Sequence, residues 1–334
     1  MYFCDTTLDD LLRRVLEKLV NSKNRTHPTR GPATEITGVM LQLTNPRARL
    51  SRTEKKGKVF SCLGELLWYL SKTNDLRFIS YYVQRYEKES DDNKSVYGGY
   101  GPRLFSTKRG GRTIDQIANV VNLLKRNPDT RRAVVQLFDA ADIADHHIEI
   151  PCTCTLQFMI RHKRLHMFTS MRSNDAFFGL PHDVFAFTML QEMLARSLDI
   201  DVGRYKHFVG SLHLYDDQTG NAHAYLAEGF QERISMPPMP PNNPWSSVLR
   251  VLKAEKVIRS GKRVDISQLG LDPYWTDLVR LLQIYAHSKM GESKEIAGIR
   301  KTMSTAVYDT YIEEKRRAAA RRVKSSEAVQ LEFL

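Results

Sequence analysis

The chain has 334 residues, 42% hydrophobic and 26% charged, which suits a globular protein with a sizeable core in one large or two ordinary domains. No apolar run approaches the ~18 residues that span a bilayer, and Met1-Tyr2-Phe3-Cys4-Asp5 lacks the basic-then-apolar pattern of a secretory signal, so a cytoplasmic protein without membrane contact is expected. The net charge of +12 favours anionic partners. Most of that charge is spread along the chain, the run from Glu313 to Lys324 reads as the solvated face of an alanine-rich helix, and no binding motif argues for nucleic acid. Cys4, Cys62, Cys152 and Cys154 have no disulfide-framework spacing. Cys152 and Cys154 share a strand face without a second Cys/His pair, so no metal site is expected and the thiols stay reduced.

In chain order, Leu8, Leu11, Leu12, Val15 and Leu19 form one helical stripe. Asn24 to Pro32 reads as a basic loop, because His27-Pro28 and Gly31-Pro32 suit neither a helix nor a central strand. Ile36 to Leu43 is a predicted strand. Phe60 to Leu70 is an apolar helix with a single charge, Glu65. Asp115 to Lys125 is a helix stopped at Asn127-Pro128. Ala133 to Phe138 is a predicted buried strand. Leu156, Phe158 and Ile160, then a turn at Arg161 to Arg164, then Leu165, Met167 and Met171 make a hairpin. Asp183 to Leu198 has helical spacing at Val184, Phe187, Leu190, Leu194 and Leu198. This order implies an α+β protein with a large mixed β-sheet flanked by helices. The proline-rich stretch Met236 to Pro241 marks a boundary, giving a catalytic domain over 1–235 and a mostly helical extension over 236–334.

The chemistry concentrates around Glu149-Ile150-Pro151-Cys152-Thr153. By itself a cysteine at a strand edge is more often a small buried hydrophobe. Here Met171-Arg172-Ser173-Asn174-Asp175 and Phe178-Gly179-Leu180-Pro181-His182-Asp183 follow it. Asp129-Thr130-Arg131-Arg132 lies upstream and Gly210-Ser211-Leu212-His213-Leu214-Tyr215 downstream. In that order, with Gly64-Glu65-Leu66-Leu67-Trp68 and Val96-Tyr97-Gly98, these motifs resemble the thymidylate synthase / deoxycytidylate hydroxymethylase family over about residues 25–215.

The resemblance implies a thymidylate synthase-like fold and one-carbon transfer to carbon 5 of a pyrimidine nucleoside monophosphate, with 5,10-methylenetetrahydrofolate as cofactor. Carbon 5 is a poor nucleophile until a thiolate adds to carbon 6, and Cys152 matches the family's nucleophile. Arg172 matches a phosphate ligand that also favours the thiolate, and Ser173 joins it. Arg131 and Arg132 match a pair that reaches the phosphate in the partner's site, which makes the protein a homodimer with shared sites. Glu65 matches a water-organising acid/base, Tyr97 a tyrosine near carbon 5, His213 and Tyr215 the pair on the sugar 3'-hydroxyl, and Asp175 with Gly179 the pterin site. A further phosphate arginine is expected from the N-terminal loop. Strict register puts Pro28 there, between Arg25 and Arg30, and Arg30 is the candidate.

Two departures bear on the substrate. The base-reading asparagine of the synthases is Asp183 here, a carboxylate that can accept from the amino group of cytosine and from a protonated N3. Thr153 follows the nucleophile in place of the synthases' histidine. Both point to a CMP or dCMP 5-hydroxymethylase. The stretch Tyr81 to Tyr86 lacks the tryptophan that shields the synthase reaction from water. The alternatives are a methylating synthase, forming thymidylate or a methylated cytidylate, and an inactive nucleotide-binding module.

Overall fold

The computed structural model describes residues 1–51 and 58–332, with side chains through Arg322. Strand β1 (Tyr2–Asp5) leads into helix α1 (Leu8–Val20). The helix is opened by Thr7, whose side chain accepts from the Asp10 N–H at 3.1 Å, and Asp9 and Asp10 sit at its positive end. All five residues of the expected stripe are buried. The basic loop is not wholly irregular: β2 (Arg25–Thr26) pairs with the start of β3 (Ala33–Leu43).

Helix α2 (Val59–Leu70) is buried at every position but Ser61, Glu65 included. A helix apolar all round belongs inside the protein, so its one carboxylate had to find partners there. Helices α3 (Leu76–Tyr82) and α4 (Tyr100–Phe105) pack against it, and Gly64 lets α3 approach: a Cβ there would fall 2.1 Å from the Tyr82 ring. A small β4–β5 hairpin (Thr107–Arg109, Arg112–Ile114) precedes α5 (Gln116–Arg126), which Asp115 caps.

The sheet order is β1-β3-β9-β8-β7-β6, with β2 added to β3; β8 pairs parallel to β9, and β1 to β3. Strand β6 is only Val134–Gln136 and lies at the edge. The expectation of a buried strand over 133–138 is therefore corrected. Ala133, Val135 and Leu137 point inward while Val134 and Gln136 are exposed, because an edge strand with one packed face alternates. The hairpin of β7 (Thr153–Arg161) and β8 (Arg164–Asp175) turns at His162 and Lys163. Both have positive φ, 50° and 57°, the geometry that matches the twist of the strands.

Helix α6 (Gly179–Ser197) starts four residues before the apolar spacing suggests. Asp175 Oδ1 accepts from the N–H groups of Phe177 and Phe178, at 2.8 and 3.0 Å, and winds the chain into the helix. The Gly179-Leu180-Pro181 stretch is the first turn of α6, where proline's missing N–H costs nothing. Strand β9 (Asp201–Tyr215) then runs through the sheet centre to α7 (Thr219–Ala227).

Residues 236–241 form an extended strap, not a free linker. Met236 and Met239 are buried, Met236 N–H donates to Arg47 O at 2.9 Å, and Met239 N–H donates to Glu192 Oε1 at 3.0 Å. Glu192 is fully buried and also pairs with Arg47 and with the equally buried Arg49. Leaving either side of such a pair without the other costs about 3–5 kcal/mol. Helices α8 (Trp245–Arg259), α9 (Pro273–Met290), α10 (Ser293–Arg300) and α11 (Asp309–Glu332) follow. Glu255 of α8 accepts from Tyr82 Oη at 2.9 Å, and Tyr285 Oη of α9 donates to Tyr81 O at 3.0 Å. On α11, Glu313 collects Arg316, Arg317 and Arg300, while Arg321 and Arg322 are exposed. Val323 and Lys324, the end of that basic run, lie outside the described side chains.

Candidate active site

Cys152 stands just before β7 begins, in a loop pinned by Arg172 of β8. Arg172 Nε donates to Pro151 O and Nη2 to Ile150 O, each at 3.0 Å, and Nη2 lies 3.7 Å from Cys152 Sγ. Gly210 makes room on β9, since a Cβ there would fall 2.8 Å from Arg172 O. On the other side of the loop the thiol faces Glu149 Oε1 at 3.8 Å. Arg30 reaches in from the N-terminal loop to Glu149 Oε2 at 2.5 Å and Glu89 Oε1 at 2.8 Å. Burial and the Glu149 charge push the Cys152 thiol up to about 12, against the pull of Arg172 and Arg30. Burial also lifts Glu89 to about 7.

Two carboxyl groups behind the thiol differ in proton affinity. Glu65 Oε1 accepts from Tyr69 Oη at 2.9 Å and Tyr86 Oη at 2.5 Å, and Oε2 lies 2.8 Å from His182 Nδ1. Burial raises Glu65, but the His182 hydrogen bond and charge, with the two tyrosines, outweigh it and keep the group ionised. Asp183 is the reverse case. Burial, then the charge of Glu65, raises it well above the carboxylate range, while His182 and a hydrogen bond with Asn174 only partly oppose that. Thus burial pushes Asp183 toward the neutral acid, while its partners hold Glu65 toward the carboxylate.

Tyr100 links this pair to the loop. Its hydroxyl accepts from the Thr153 N–H at 3.0 Å, and burial raises it well above the ordinary tyrosine value. At the C-terminal end of β8, Ser173 pairs with Ser211 and Asp175 with His213 of β9. His213 and Tyr215 share one side of that strand with ring centroids 4.8 Å apart, and Arg30, Asp175 and Cys152 act on the Tyr215 hydroxyl. Gly179 is required by contact: a Cβ would fall 2.7 Å from Asn174 Oδ1.

The geometry thus brings Cys152, Glu65, Asp183, Arg172, Arg30, Asp175, Gly179, His213 and Tyr215 to one end of β7, β8 and β9. Arg25, Arg131 and Arg132 lie elsewhere, while Tyr97 stands beside the Cys152 loop, where a Cβ on Gly98 would fall 3.1 Å from Ile150 C. The Tyr97 ring stacks on His147 at 3.5 Å, and its hydroxyl is hydrogen-bonded to Asp142. Arg25 is paired with Asp216 on the surface. Arg131 and Arg132 are exposed at the far end of β6. Val134 faces Gln157, so Arg132 lies opposite Met159, seven residues along β7 from Cys152 or ~23 Å at strand spacing. Sequence reading missed His182, Tyr86, Tyr100 and Glu149. Of these only His182, next to Asp183 on a helix entering the site, carried a usable signal.

A soft nucleophile beside an arginine, backed by carboxyl groups that keep and give up their protons at different pH, defines an enzyme that adds a thiol to a polarised ring and then moves protons. The comparison with known families agrees: the thymidylate synthase family model matches residues 6–246, and the chain belongs to that family. It is a one-carbon transferase acting at carbon 5 of a pyrimidine nucleotide. Members of the family use methylenetetrahydrofolate and act on pyrimidine nucleoside monophosphates. Among the described residues no helix is long and apolar enough to cross a membrane, and no cluster of three His, Cys, Asp or Glu could hold a metal ion.

Proposed function

We propose that this enzyme is a homodimeric 5-hydroxymethylase of CMP or dCMP that uses 5,10-methylenetetrahydrofolate. What carries the reading is an aspartate, Asp183, at the base-reading position, pushed by burial toward its acid form beside Glu65, whose partners favour the carboxylate. Cytosine N3 has a basic lone pair and can take the Asp183 proton, giving a charge-assisted pair while the second oxygen accepts from the exocyclic amino group. A ring protonated at N3 is more electrophilic at carbon 6, where Cys152 attacks. Uracil already carries a hydrogen on N3, so the acid can hydrogen-bond it but cannot activate its ring by protonation at N3.

Arg172 and Ser173 hold the phosphate, with Arg30 once a phosphate competes with Glu89 and Glu149 for its guanidinium. His213 and Tyr215 hold the sugar. The folate donor fits at Asp175, whose Oδ2 is buried without a hydrogen-bond partner and lies 3.8 Å from Arg85 Nη1. Phe178 lies alongside, with Lys58 Nζ 3.8 Å from its ring centre. When bound, the cofactor supplies an electrophilic one-carbon unit at the oxidation level of formaldehyde. Tyr86 brings a hydroxyl to Glu65 within the stretch where the synthases carry a shielding tryptophan, and this supports addition of water to the methylene carried on carbon 5, giving the hydroxymethyl product. The deciding experiment incubates the enzyme with methylenetetrahydrofolate and each of CMP, dCMP, UMP and dUMP. A cytidylate should gain a hydroxymethyl group and tetrahydrofolate should be released. Dihydrofolate appearing in step with nucleotide consumption would establish the methylating synthase instead.

The shared site rests on the distance between Arg131, Arg132 and the Cys152 of the same chain, which excludes a joint role within one protomer. The sheet also has a face for a second copy: Leu165, Met167, Met171, Tyr205 and Val209 are buried toward the helices, while Phe168 and Phe208 on the opposite face are partly exposed. Arg131→Ala and Cys152→Ala, each nearly inactive alone, should regain up to about a quarter of wild-type activity when mixed as exchanging dimers, because one composite site keeps both groups. No recovery after verified exchange would refute the shared site.

A further inference from the structure

Buried Glu65 and half-buried Asp183 sit within one cluster, and carboxyl groups so placed compete for protons unless something divides them. What divides them is His182, held from three sides. Its Nδ1 lies 2.8 Å from Glu65 Oε2, its Nε2 lies 3.0 Å from Ser61 Oγ, and it immediately precedes Asp183 in the first turn of α6. The Ser61 hydroxyl donates to Lys58 O at 3.0 Å. The serine oxygen is then left to accept from Nε2, while Nδ1 stands at ion-pair distance from Glu65 Oε2, an oxygen buried with no hydrogen-bond partner of its own. An imidazolium satisfies both neighbours, a donor to the serine and a positive charge beside the carboxylate.

We propose that His182 is a positioning residue that, as an imidazolium, clamps Glu65 as the permanent anion of the site and leaves Asp183 as its acid. This rests on the reading of Glu65 and Asp183 as the proton-handling groups of the carbon 5 chemistry. The groups facing the ring are Cys62 and Glu65 of α2, with Tyr69 and Tyr86 behind Glu65, then Asp183 beside it on α6, on which Asp175 at the end of β8 also acts. Burial pushes His182 down, but Cys62 and Glu65 overcome it and raise it to about 10. The sign for Glu65 is opposite: the clamp lowers it, so removing the clamp raises it and Glu65 takes up a proton closer to neutrality. The held carboxylate in turn raises Asp183. One histidine therefore sets both ends of the proton arrangement without touching the nucleotide.

The test has a readout that needs no substrate. In the full chain with 15N-labelled histidine, both His182 ring nitrogens should stay protonated from pH 6 through 9, with the signal assigned by its loss in His182→Gln. In Glu65→Gln the ring should titrate at least ~2 pH units lower, toward the ordinary histidine value of about 6.5. His182→Gln should lower kcat ~10- to 100-fold and move the acidic limb of the kcat profile up by at least ~1 pH unit, with KM for the nucleotide within ~3-fold. A wild-type His182 that titrates near 6.5, or an acidic limb unmoved in His182→Gln, would overturn the proposal. If no pyrimidine nucleotide is turned over, the functional reading fails, while the ring-nitrogen titration of the wild-type protein still decides whether the clamp exists.

Discussion

Cys152→Ala is expected to lower turnover by at least ~10⁴-fold and to leave nucleotide affinity within a few-fold. The thiol is the soft nucleophile beside Arg172, and without a bond to carbon 6 the ring's carbon 5 is not activated. The groups assigned to the phosphate and sugar, Arg172, Ser173, Arg30, His213 and Tyr215, are untouched by the change, so equilibrium binding of a labelled monophosphate should survive. The same thiol has a distinct pH signature. Burial and Glu149 hold it protonated up to about 12, so below that value the thiolate fraction grows tenfold per pH unit. Alkylation of Cys152 by iodoacetamide, read by peptide mass, should therefore be slow at pH 7 and climb through pH 10. Turnover retained by the alanine variant would remove the covalent mechanism.

What could be read from the chain follows the range of each interaction. The α1 stripe, the apolar α2 and the β7–β8 hairpin depend on residues a few positions apart, and periodicity reveals them. The start of α6 is hidden in apolar spacing, because it is set by Asp175 capping Phe177 and Phe178. Strand β6 looked buried because Ala133 to Phe138 is mostly apolar, and only the pairing order places it at an edge.

The site divides in the same way. The nucleophile, the Arg-Ser pair and the His-x-Tyr pair occur in short runs, and the family resemblance assigns them residue by residue. The proton states do not. Glu65 is held toward its ionised form by a histidine 117 positions later, and Asp183 is pushed toward its acid form by burial and then by Glu65. The Tyr81–Tyr86 stretch could be read only as lacking a tryptophan. In the fold it carries Tyr86 to Glu65 and is itself held by Glu255 and Tyr285 of the C-terminal helices. That layer therefore supports the site, although its sequence bears no catalytic motif.

The substrate assignment stands or falls on Asp183→Asn. The amide keeps the shape of the side chain and can face both N3-H and O4 of uracil, but it has no acidic proton to give. A cytosine complex then loses the charge-assisted pair and the electron-poor ring, whereas a uracil complex loses nothing it had. The ratio of kcat/KM for uridylate over cytidylate should rise by ~1–3 kcal/mol, or about 5- to 150-fold. Overall rate should fall as well, because Glu65 and Asn174 are arranged around an acid. The linked change in proton binding gives a second readout. Wild-type Asp183 is raised by burial and by Glu65, so cytidylate binding should draw its proton onto the ring with little exchange with buffer at neutral pH. In the asparagine variant N3 could be protonated only from solvent, so cytidylate turnover should weaken as pH rises from 6 to 8. A wild-type enzyme that prefers uridylates, or a substitution that leaves the ratio unchanged, would overturn the base-reading role of Asp183 and the cytidylate assignment with it.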